Sequence, residues 1–317
     1  MNFAVLADQF WALTLTGISL GLIYVLVSLG YTMVYGVLRL INFANSEIFM
    51  VGTFATVIMS TGVFGYDINS ETLHGAKLIF TMLACLIASM LLSGVAAVLV
   101  EIVAYRRLRA MGTNRLASLI SAIGVSIVMS EGMRILTHSR PRSSPRLLEK
   151  WSFGEIAGAN FRIDTVLVIV SSLILFFALD RFVSKSRLGK AIRAVSMSEE
   201  TSKLMGINLN RVISATFLIG GLLTGAAAFF YTTVYEMTKY NVGFNLGLAA
   251  FTAAVLGGIG NIRGAFFGGL TLGLIEQFAS AILGSQWKAI TVFVVLVTVL
   301  LFKPNGIFGE AIQQTRV

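Results

Sequence analysis

The sequence predicts an all-α fold, a polytopic transmembrane helical bundle of about 8–9 spans with one amphipathic helix on its cytoplasmic side. Composition is the first observation: 56% of the 317 residues are hydrophobic and 12% are charged, whereas soluble domains carry about 25% charged residues. The mean hydropathy is +0.84. Finally, apolar runs near the roughly 20 residues needed to cross a bilayer recur along the chain. These features exclude a soluble globular domain.

Nine hydrophobic segments account for most of the chain. They are predicted at Phe10–Val37, Glu47–Phe64, Leu78–Ala104, Leu116–Leu136, Asp164–Ser184, Val212–Tyr235, Leu246–Gly257, Gly264–Leu283 and Ala289–Leu301. The 31 glycines are spread through these segments, which favours close helix packing because small residues let helix backbones approach in lipid. The single cysteine, Cys85, excludes an intrachain disulfide.

The segment Leu246–Gly257 is short for a full crossing, and a glycine break follows it. The break contains Gly257, Gly258, Gly260 and Gly264. Non-helical backbone at membrane depth is tolerated only where it is buried in protein or lines a cavity. The sequence leaves two interpretations open for residues 246–283: two spans, or one re-entrant hairpin.

Two basic loops, Tyr105–Arg115 and Arg181–Arg211, set the predicted orientation. Two spans separate them, so both lie on one side of the membrane, which the positive-inside rule assigns to the cytoplasm. Nine spans then place the N-terminus in the periplasm and the C-terminus in the cytoplasm. The external loop Thr137–Arg162 is also basic. It either meets a soluble partner or is an exception to a statistical rule.

Polar residues inside the apolar stretches are the candidates for a translocation path. Asn42, Asn45, Ser46 and Glu47 lie at the junction of the first two spans, and Glu276 lies within the eighth segment. An ionisable group inside a membrane segment is costly and is therefore a functional hypothesis by default. The junction is open to a second interpretation, an interfacial loop that caps the next helix. Glu276 faces either a partner helix or an aqueous path.

The segment 185–208 is basic, amphipathic and helix-prone. Leu188, Ile192 and Val195 recur at helical spacing and form one apolar face, with arginine and lysine side chains around it. Gly206 suits a helix C-terminus. Such a helix either docks on a protein partner or lies on anionic lipid.

Motifs for catalysis, metal binding and nucleotide binding are absent from the sequence. It contains no Cys-x-x-Cys or His-Glu-x-x-His spacing, no Gly-x-Ser-x-Gly elbow and no Gly-x-x-x-x-Gly-Lys-Ser/Thr loop. We therefore assign no catalytic residue and no metal ligand, and we expect the chain not to be an enzyme. If transport uses ATP, another chain must bind it.

Several stretches together resemble the permease subunits of ABC importers for branched-chain amino acids. The resemblance runs from about Gly17 to Gly309 and is carried by Gly21–Gly36 with Ile41–Glu47, Arg187–Ala194 with Leu204–Asn208, Phe251–Gly264, and Lys303–Gly309. The residues at 45–46 in that family are commonly His-Gly or Asn-Gly, so Ser46 is a departure from its pattern.

The resemblance implies a single transmembrane permease domain over residues 1–317, of the shorter type without an attached ATPase domain. It implies that residues 185–208 form a cytoplasmic coupling segment that docks on an ATPase. Its docking residues are Arg187, Leu188, Gly189, Ile192, Arg193, Ala194 and Gly206.

The implied partners are a second related permease, two ATPase subunits, a periplasmic substrate-binding protein and membrane lipid, with no nucleic acid. ATP and Mg are used by the ATPase subunits, and this chain binds no cofactor itself. The expected location is the bacterial inner membrane.

Two alternatives remain at this stage. One is a permease of the same kind for urea, amides or other amino acids. The other is a stand-alone channel or secondary transporter whose basic helix binds lipid. Co-purification with two ATPases separates the importer from the stand-alone protein.

Overall fold

The computed structural model describes residues 9–67, 72–112, 115–156 and 159–309, and these residues are mostly helical. Eight helices are long and apolar enough to cross a membrane. The predicted all-α polytopic bundle is therefore confirmed. The helices are α1 (Phe10–Leu38), α2 (Asn45–Val57), α3 (Gly75–Val100), α4 (Arg107–Ala110), α5 (Arg115–Thr137), α6 (Ile163–Lys185), α7 (Arg187–Met197), α8 (Glu199–Leu204), α9 (Leu209–Tyr235), α10 (Val242–Gly257), α11 (Ile262–Leu283) and α12 (Lys288–Phe302).

Short strands and irregular turns complete the described chain. Strands β1 (Arg142–Ser143) and β4 (Met237–Thr238) pair antiparallel, as do β2 (Ser152–Ile156) and β3 (Ala159–Arg162). A π-helical turn over Ile58–Val63 continues α2, and a second over Glu101–Arg106 joins α3 to α4. A 3₁₀ turn over Ser285–Trp287 precedes α12.

The predicted segment Leu246–Gly257 is helix α10, which begins four residues earlier than expected. Its 16 residues span about 24 Å at 1.5 Å per residue, less than the roughly 30 Å of a bilayer core. Helix α11 has 22 residues and the length and hydropathy of a membrane span. Residues 246–283 therefore form one short buried helix followed by one full-length helix.

Helix α1 forms the centre of the bundle, and glycines bring other helices against it. Gly21 and Gly273 lie so close that a Cβ on Gly273 would overlap the Gly21 backbone. A Cβ on Gly269 would come within 2.6 Å of Val25 Cγ2. Because lipid offers no hydrophobic drive for helix association, such backbone contact supplies the packing energy.

Helices α3 and α9 use the same kind of contact, reinforced by serine hydroxyls. The Oγ of Ser89 donates to the carbonyl oxygens of Gly225 at 2.7 Å and Gly52 at 2.9 Å, so one side chain links α2, α3 and α9. The outer helices are less buried. Only 11% of the most apolar stretch of α5 is buried, and the fraction is the same for the segment that contains α12. Their apolar surfaces are available to lipid or to a second membrane chain.

The bundle has two ends, defined by the elements that lie there. At the amphipathic end, which carries α7, Arg39 Nη2 donates to Ser196 O at 2.8 Å and Arg109 Nη2 donates to Asn210 Oδ1 at 2.9 Å. The two predicted basic loops therefore share one end, as the sequence predicted. The hairpin end, with β2–β3, carries the loop Thr137–Arg162.

The positive charges of the loop Thr137–Arg162 are partly neutralised by internal ion pairs. Glu236 contacts Arg146 at 3.1 Å and Lys150 at 2.6 Å, and Arg162 contacts Asp164 at 2.6 Å. Burial acts to raise the pKa of Glu236, but the hydrogen bonds from Lys150 and Arg146 outweigh it and hold that pKa below its usual range. Part of the positive charge of this loop is therefore balanced by carboxylates of the same chain.

The glycine crossing between α1 and α11 generates a stability prediction. Gly273→Leu forces side-chain atoms into the Gly21 backbone, and we expect the free energy of unfolding to fall by about 1–3 kcal/mol, the usual cost of overpacking. Gly124→Leu in α5 is the matched control, because a Cβ there has open space. Thermal unfolding in detergent, followed by size-exclusion chromatography, measures both. Equal stability of the two variants would contradict the packing role of Gly273.

Candidate functional site

The start of α2 lies inside the bundle, well away from both ends. Asn45 Nδ2 donates to Val27 O at 3.4 Å, and Asn45 Oδ1 accepts from Thr224 Oγ1 at 3.3 Å. Val27 is roughly 16 Å from the end of α1 at 1.5 Å per residue, and Thr224 is near the middle of α9. The chain therefore turns back into the bundle after α1 before α2 begins.

The four predicted polar residues of this junction are all buried: Asn42 is 2% exposed, Asn45 2%, Ser46 7% and Glu47 3%. The N-cap of α2 is Ala44, which makes no side-chain cap bond, and Asn42 Oδ1 accepts from Ala44 N at 3.2 Å. Because the junction is buried, it does not match the interfacial-loop interpretation. The polar groups of this junction therefore lie in the interior of the bundle.

Asn42 and Glu47 each have one satisfied and one unsatisfied polar atom. Asn42 Oδ1 accepts from Tyr105 OH at 3.0 Å, and Glu47 Oε1 accepts from Ser126 Oγ at 3.3 Å. Within the described part of the chain, Asn42 Nδ2, Glu47 Oε2 and Thr32 Oγ1 have no hydrogen-bond partner. A buried polar atom left unpaired costs about 1–3 kcal/mol, so these atoms are the ones a polar solute or water would stabilise.

Ser46 packs directly on α10. A Cβ on Gly243 would overlap Ser46 O, and a Cβ on Gly247 would overlap Ser46 Cβ. The Ser46 hydroxyl turns away and donates to Phe43 O at 2.7 Å. Helix α10 thus accommodates the Ser46 side chain, because α10 carries glycines four residues apart on the facing side.

Glu276 lies on the other side of α10, apart from the α2 junction. It is 5% exposed, and its Oε2 accepts a hydrogen bond from Tyr24 OH at 2.7 Å. Its carboxyl group lines a cavity of about 300 Å³ between α1, α9, α10, α11 and α12. Among the described residues lining that cavity, none comes from the α1–α2 loop or α2. The structure therefore separates the predicted path residues into two groups.

The glycine break forms a tight turn at the amphipathic end. Gly258 has φ +103° and Gly260 has φ +96°, conformations that favour glycine. Gly257 and Gly264 approach so closely that a Cβ on either would overlap the other's backbone. Residues after α12 close over this turn, with Ile307 N donating to Leu256 O at 2.8 Å and Phe308 N to Gly257 O at 3.2 Å.

The segment 185–208 forms two short helices, α7 and α8, at the amphipathic end. Ser186 Oγ accepts from Gly189 N at 2.8 Å and caps α7, while Ser198 Oγ accepts from Thr201 N at 3.2 Å and caps α8. Of the predicted docking residues, Gly189 and Ile192 are buried, Leu188 and Ala194 are half-buried, and Arg187, Arg193 and Gly206 are exposed. Gly206 has φ +79° and follows the end of α8.

Close contacts fix this segment to the bundle. A Cβ on Gly189 would overlap Val183 O, so α7 lies directly on the end of α6. Arg193 Nη2 donates to Ser184 O at 3.0 Å, and Arg39 holds the other end of α7 through Ser196. A force on α7 therefore reaches α6 and α1 without passing through a flexible linker.

The segment also carries exposed apolar side chains that are not among its predicted docking residues. Met197 is 86% exposed, Leu204 88% and Met205 78%, within a basic part of the chain. Exposed apolar side chains near charged ones are typical of a docking surface. The sequence could have indicated this exposure, because these three apolar residues fall outside the predicted apolar face Leu188–Ile192–Val195.

Sequence reasoning also missed the side chains that hold the polar interior together. Tyr24, Tyr105, Ser126 and Thr224 all contact a predicted path residue. A hydroxyl group in an apolar run is a weak signal, and only the fold pairs it with a distant partner. In the described ranges, no group of three or more His, Cys, Asp or Glu side chains could hold a metal ion.

Comparison with known proteins covers nearly the whole chain. Residues 13–301 match the family described as "Branched-chain amino acid transport system / permease component". The chain is 40% identical over 297 residues to the high-affinity branched-chain amino acid transport system permease protein BraD of Pseudomonas aeruginosa, covering 93% of this chain and 94% of BraD. It is 35% identical, at the same coverage, to LivH of Escherichia coli K12. A more distant relative, the fructose import permease protein FruF of Bifidobacterium longum, is 25% identical over 70% of this chain and 62% of FruF.

Proposed function

The chain belongs to the family of permease components of branched-chain amino acid transport systems, and from that premise we propose that it is a membrane-spanning permease subunit of an ATP-driven importer. Its substrates are leucine, isoleucine, valine or closely related apolar amino acids. The observation that carries this proposal is the 35–40% identity to BraD and LivH over 93% of the chain. Family membership confirms that the chain is a permease component and not itself an enzyme.

The proposed importer contains further chains. A second related permease pairs with this one in the membrane, two ATPase subunits bind at the amphipathic end and use ATP and Mg, and a periplasmic binding protein delivers the amino acid at the hairpin end. Eight apolar helices and the family membership make the chain a multi-pass protein of the bacterial inner membrane. In the proposed orientation the amphipathic end is cytoplasmic.

Coupling is proposed to run through α7 and α8. The exposed apolar side chains Met197, Leu204 and Met205 contact an ATPase subunit, and the exposed Arg187 supplies charge at the opposite end of α7. The buried face, with Gly189 and Ile192, transmits the movement into the bundle. Interfaces commonly combine an apolar centre with a polar rim, which matches this surface.

The amino acid is proposed to pass close to α10. The unpaired atoms of Asn42 and Glu47 supply hydrogen-bonding capacity on one side of this helix, and Glu276 supplies it on the other. Gly243 and Gly247 allow α10 to lie against α2 with only the small Ser46 side chain at the contact.

Reconstitution of the importer tests the proposed function. The chain, its second permease, both ATPases and the binding protein are placed in proteoliposomes with ATP on the cytoplasmic side. We expect ATP-dependent uptake of leucine that stops when this chain is left out. Equal uptake by this chain alone, without ATPases, would contradict the proposal and favour a stand-alone transporter.

The proposed coupling surface generates a prediction about ATPase binding. Met205→Glu puts a charge on the proposed apolar contact without disturbing the buried face of α7, and we expect co-purification of the ATPase subunits to fall about tenfold or more. Met237→Glu at the hairpin end is the matched control and leaves ATPase binding unchanged. The assay is affinity purification of the tagged permease complex, followed by quantification of ATPase. Full ATPase binding by Met205→Glu would remove this residue from the interface.

The α2 junction generates a further prediction about uptake. Glu47→Gln keeps the size of the side chain and removes its charge, and we expect leucine uptake to fall on the order of tenfold, because hydrogen bonds to charged groups contribute about 1.5–3 kcal/mol. Complex assembly stays normal. Glu131→Gln, which breaks only an exposed ion pair with Arg134, serves as the control. Normal uptake by the Glu47→Gln variant would exclude Glu47 from transport.

A further inference from the structure

The cavity beside Glu276 has the size and the mixed lining of a small-molecule site. Its volume of about 300 Å³ is at the lower limit of ligand pockets, which are mostly apolar with a few placed polar groups. Its apolar lining includes Leu20, Leu246, Ala249 and Val292. These side chains suit contact with an aliphatic group.

The polar part of the cavity carries both signs of charge. Glu276 contributes a buried carboxyl group whose Oε2 is held by Tyr24 OH. Lys288, at the start of α12, contributes an ammonium group and is half-buried. Among the described residues, no basic group lies within ion-pair distance of Glu276, and no carboxylate lies within that distance of Lys288. Each group therefore retains capacity to bind a ligand of opposite charge.

An exposed second lysine, Lys239, and neutral hydrogen-bonding groups complete the lining. Asn241 and Asn245 lie at the start of α10, and Tyr231 and Tyr235 lie at the end of α9 with their rings 4.4 Å apart. These side chains belong to the hairpin end of their helices, so the cavity lies toward that end. A solute delivered there would meet this cavity before the α2 junction.

The charge pattern discriminates between classes of solute. A metal cation requires several oxygen ligands, and Glu276 is the one carboxylate among the described lining residues. A sugar has no charge with which to engage Glu276 and Lys288. A zwitterion offers an ammonium group and a carboxylate at once, and an aliphatic side chain fills the apolar remainder.

We propose that this cavity is a binding site for a zwitterionic apolar amino acid, with the carboxyl group of Glu276 receiving the α-ammonium group and Lys288 receiving the α-carboxylate. This assignment rests on the proposed function, to which it adds the position and chemistry of a site within the permease. Tyr24 is a positioning residue that holds the Glu276 carboxyl group.

Binding of leucine and two analogues tests the assignment. The full permease–ATPase complex in nanodiscs, without binding protein and without ATP, is titrated with L-leucine, with leucinamide, which lacks the carboxylate, and with 4-methylpentanoate, which lacks the ammonium group. For each variant, one analogue lacks the charged group that the substituted side chain is proposed to bind. Binding of that analogue separates loss of a specific charge contact from general damage to the site.

Glu276→Gln is expected to weaken leucine binding at least about tenfold and to leave 4-methylpentanoate binding unchanged. Lys288→Met is expected to weaken leucine binding by a similar factor and to leave leucinamide binding unchanged. Glu131→Gln, on the exposed surface, leaves all three affinities unchanged. If the Glu276→Gln complex does not assemble, the Lys288→Met pattern decides by itself.

Leucine affinity that is unchanged in both variants overturns the assignment, as does an equal loss for all three ligands or an absence of leucine binding to the wild-type complex. These outcomes are distinct from failure of the proposed function. A complex that imports leucine with ATP but shows no charge-specific binding retains the function and loses this site. A wild-type complex that imports no amino acid loses the function.

Discussion

Close backbone contact through glycine is the constraint on which the rest of the structure depends. In lipid, apolar side chains gain nothing by leaving their solvent, so helices are held together by contact at short range and by interhelical hydrogen bonds. Gly21, Gly269 and Gly273 bring α1 and α11 together, and Ser89 ties three helices at once through glycine carbonyls. This tight core holds polar groups at membrane depth in defined positions.

Helix α10 connects the two polar regions that this packing creates. One side, through Gly243 and Gly247, lies on Ser46 beside Glu47, while Leu246 and Ala249 line the cavity of Glu276. Its C-terminal end is covered by the residues that follow α12. A shift of α10 would therefore change both polar regions together. We regard this helix as the element that relates the hairpin-end cavity to the α2 junction.

The sequence was sufficient for the helices but not for the contacts between them. Hydropathy placed the eight long apolar helices and the shorter α10, because burial in lipid depends on local composition, and the glycine break was visible as a loss of helical pattern. The bond from Tyr24 to Glu276 joins residues 252 positions apart, and no local pattern encodes such a pairing. Arg193 looked like a docking residue, yet its guanidinium also donates to Ser184 O within the chain. Only the fold distinguishes such a contact from a free charge.

Solvent access at Ser46 tests most directly the central claim that the solute passes beside α10. Ser46→Cys in a Cys85→Ala background introduces a single thiol of similar size between α2 and α10, and the permease–ATPase complex is treated with a small water-soluble thiol reagent with and without ATP. The account predicts labelling whose rate depends on the ATP state, because α10 separates from α2 during transport. Labelling that is absent or equal in every state, in a complex that still imports leucine, would contradict it.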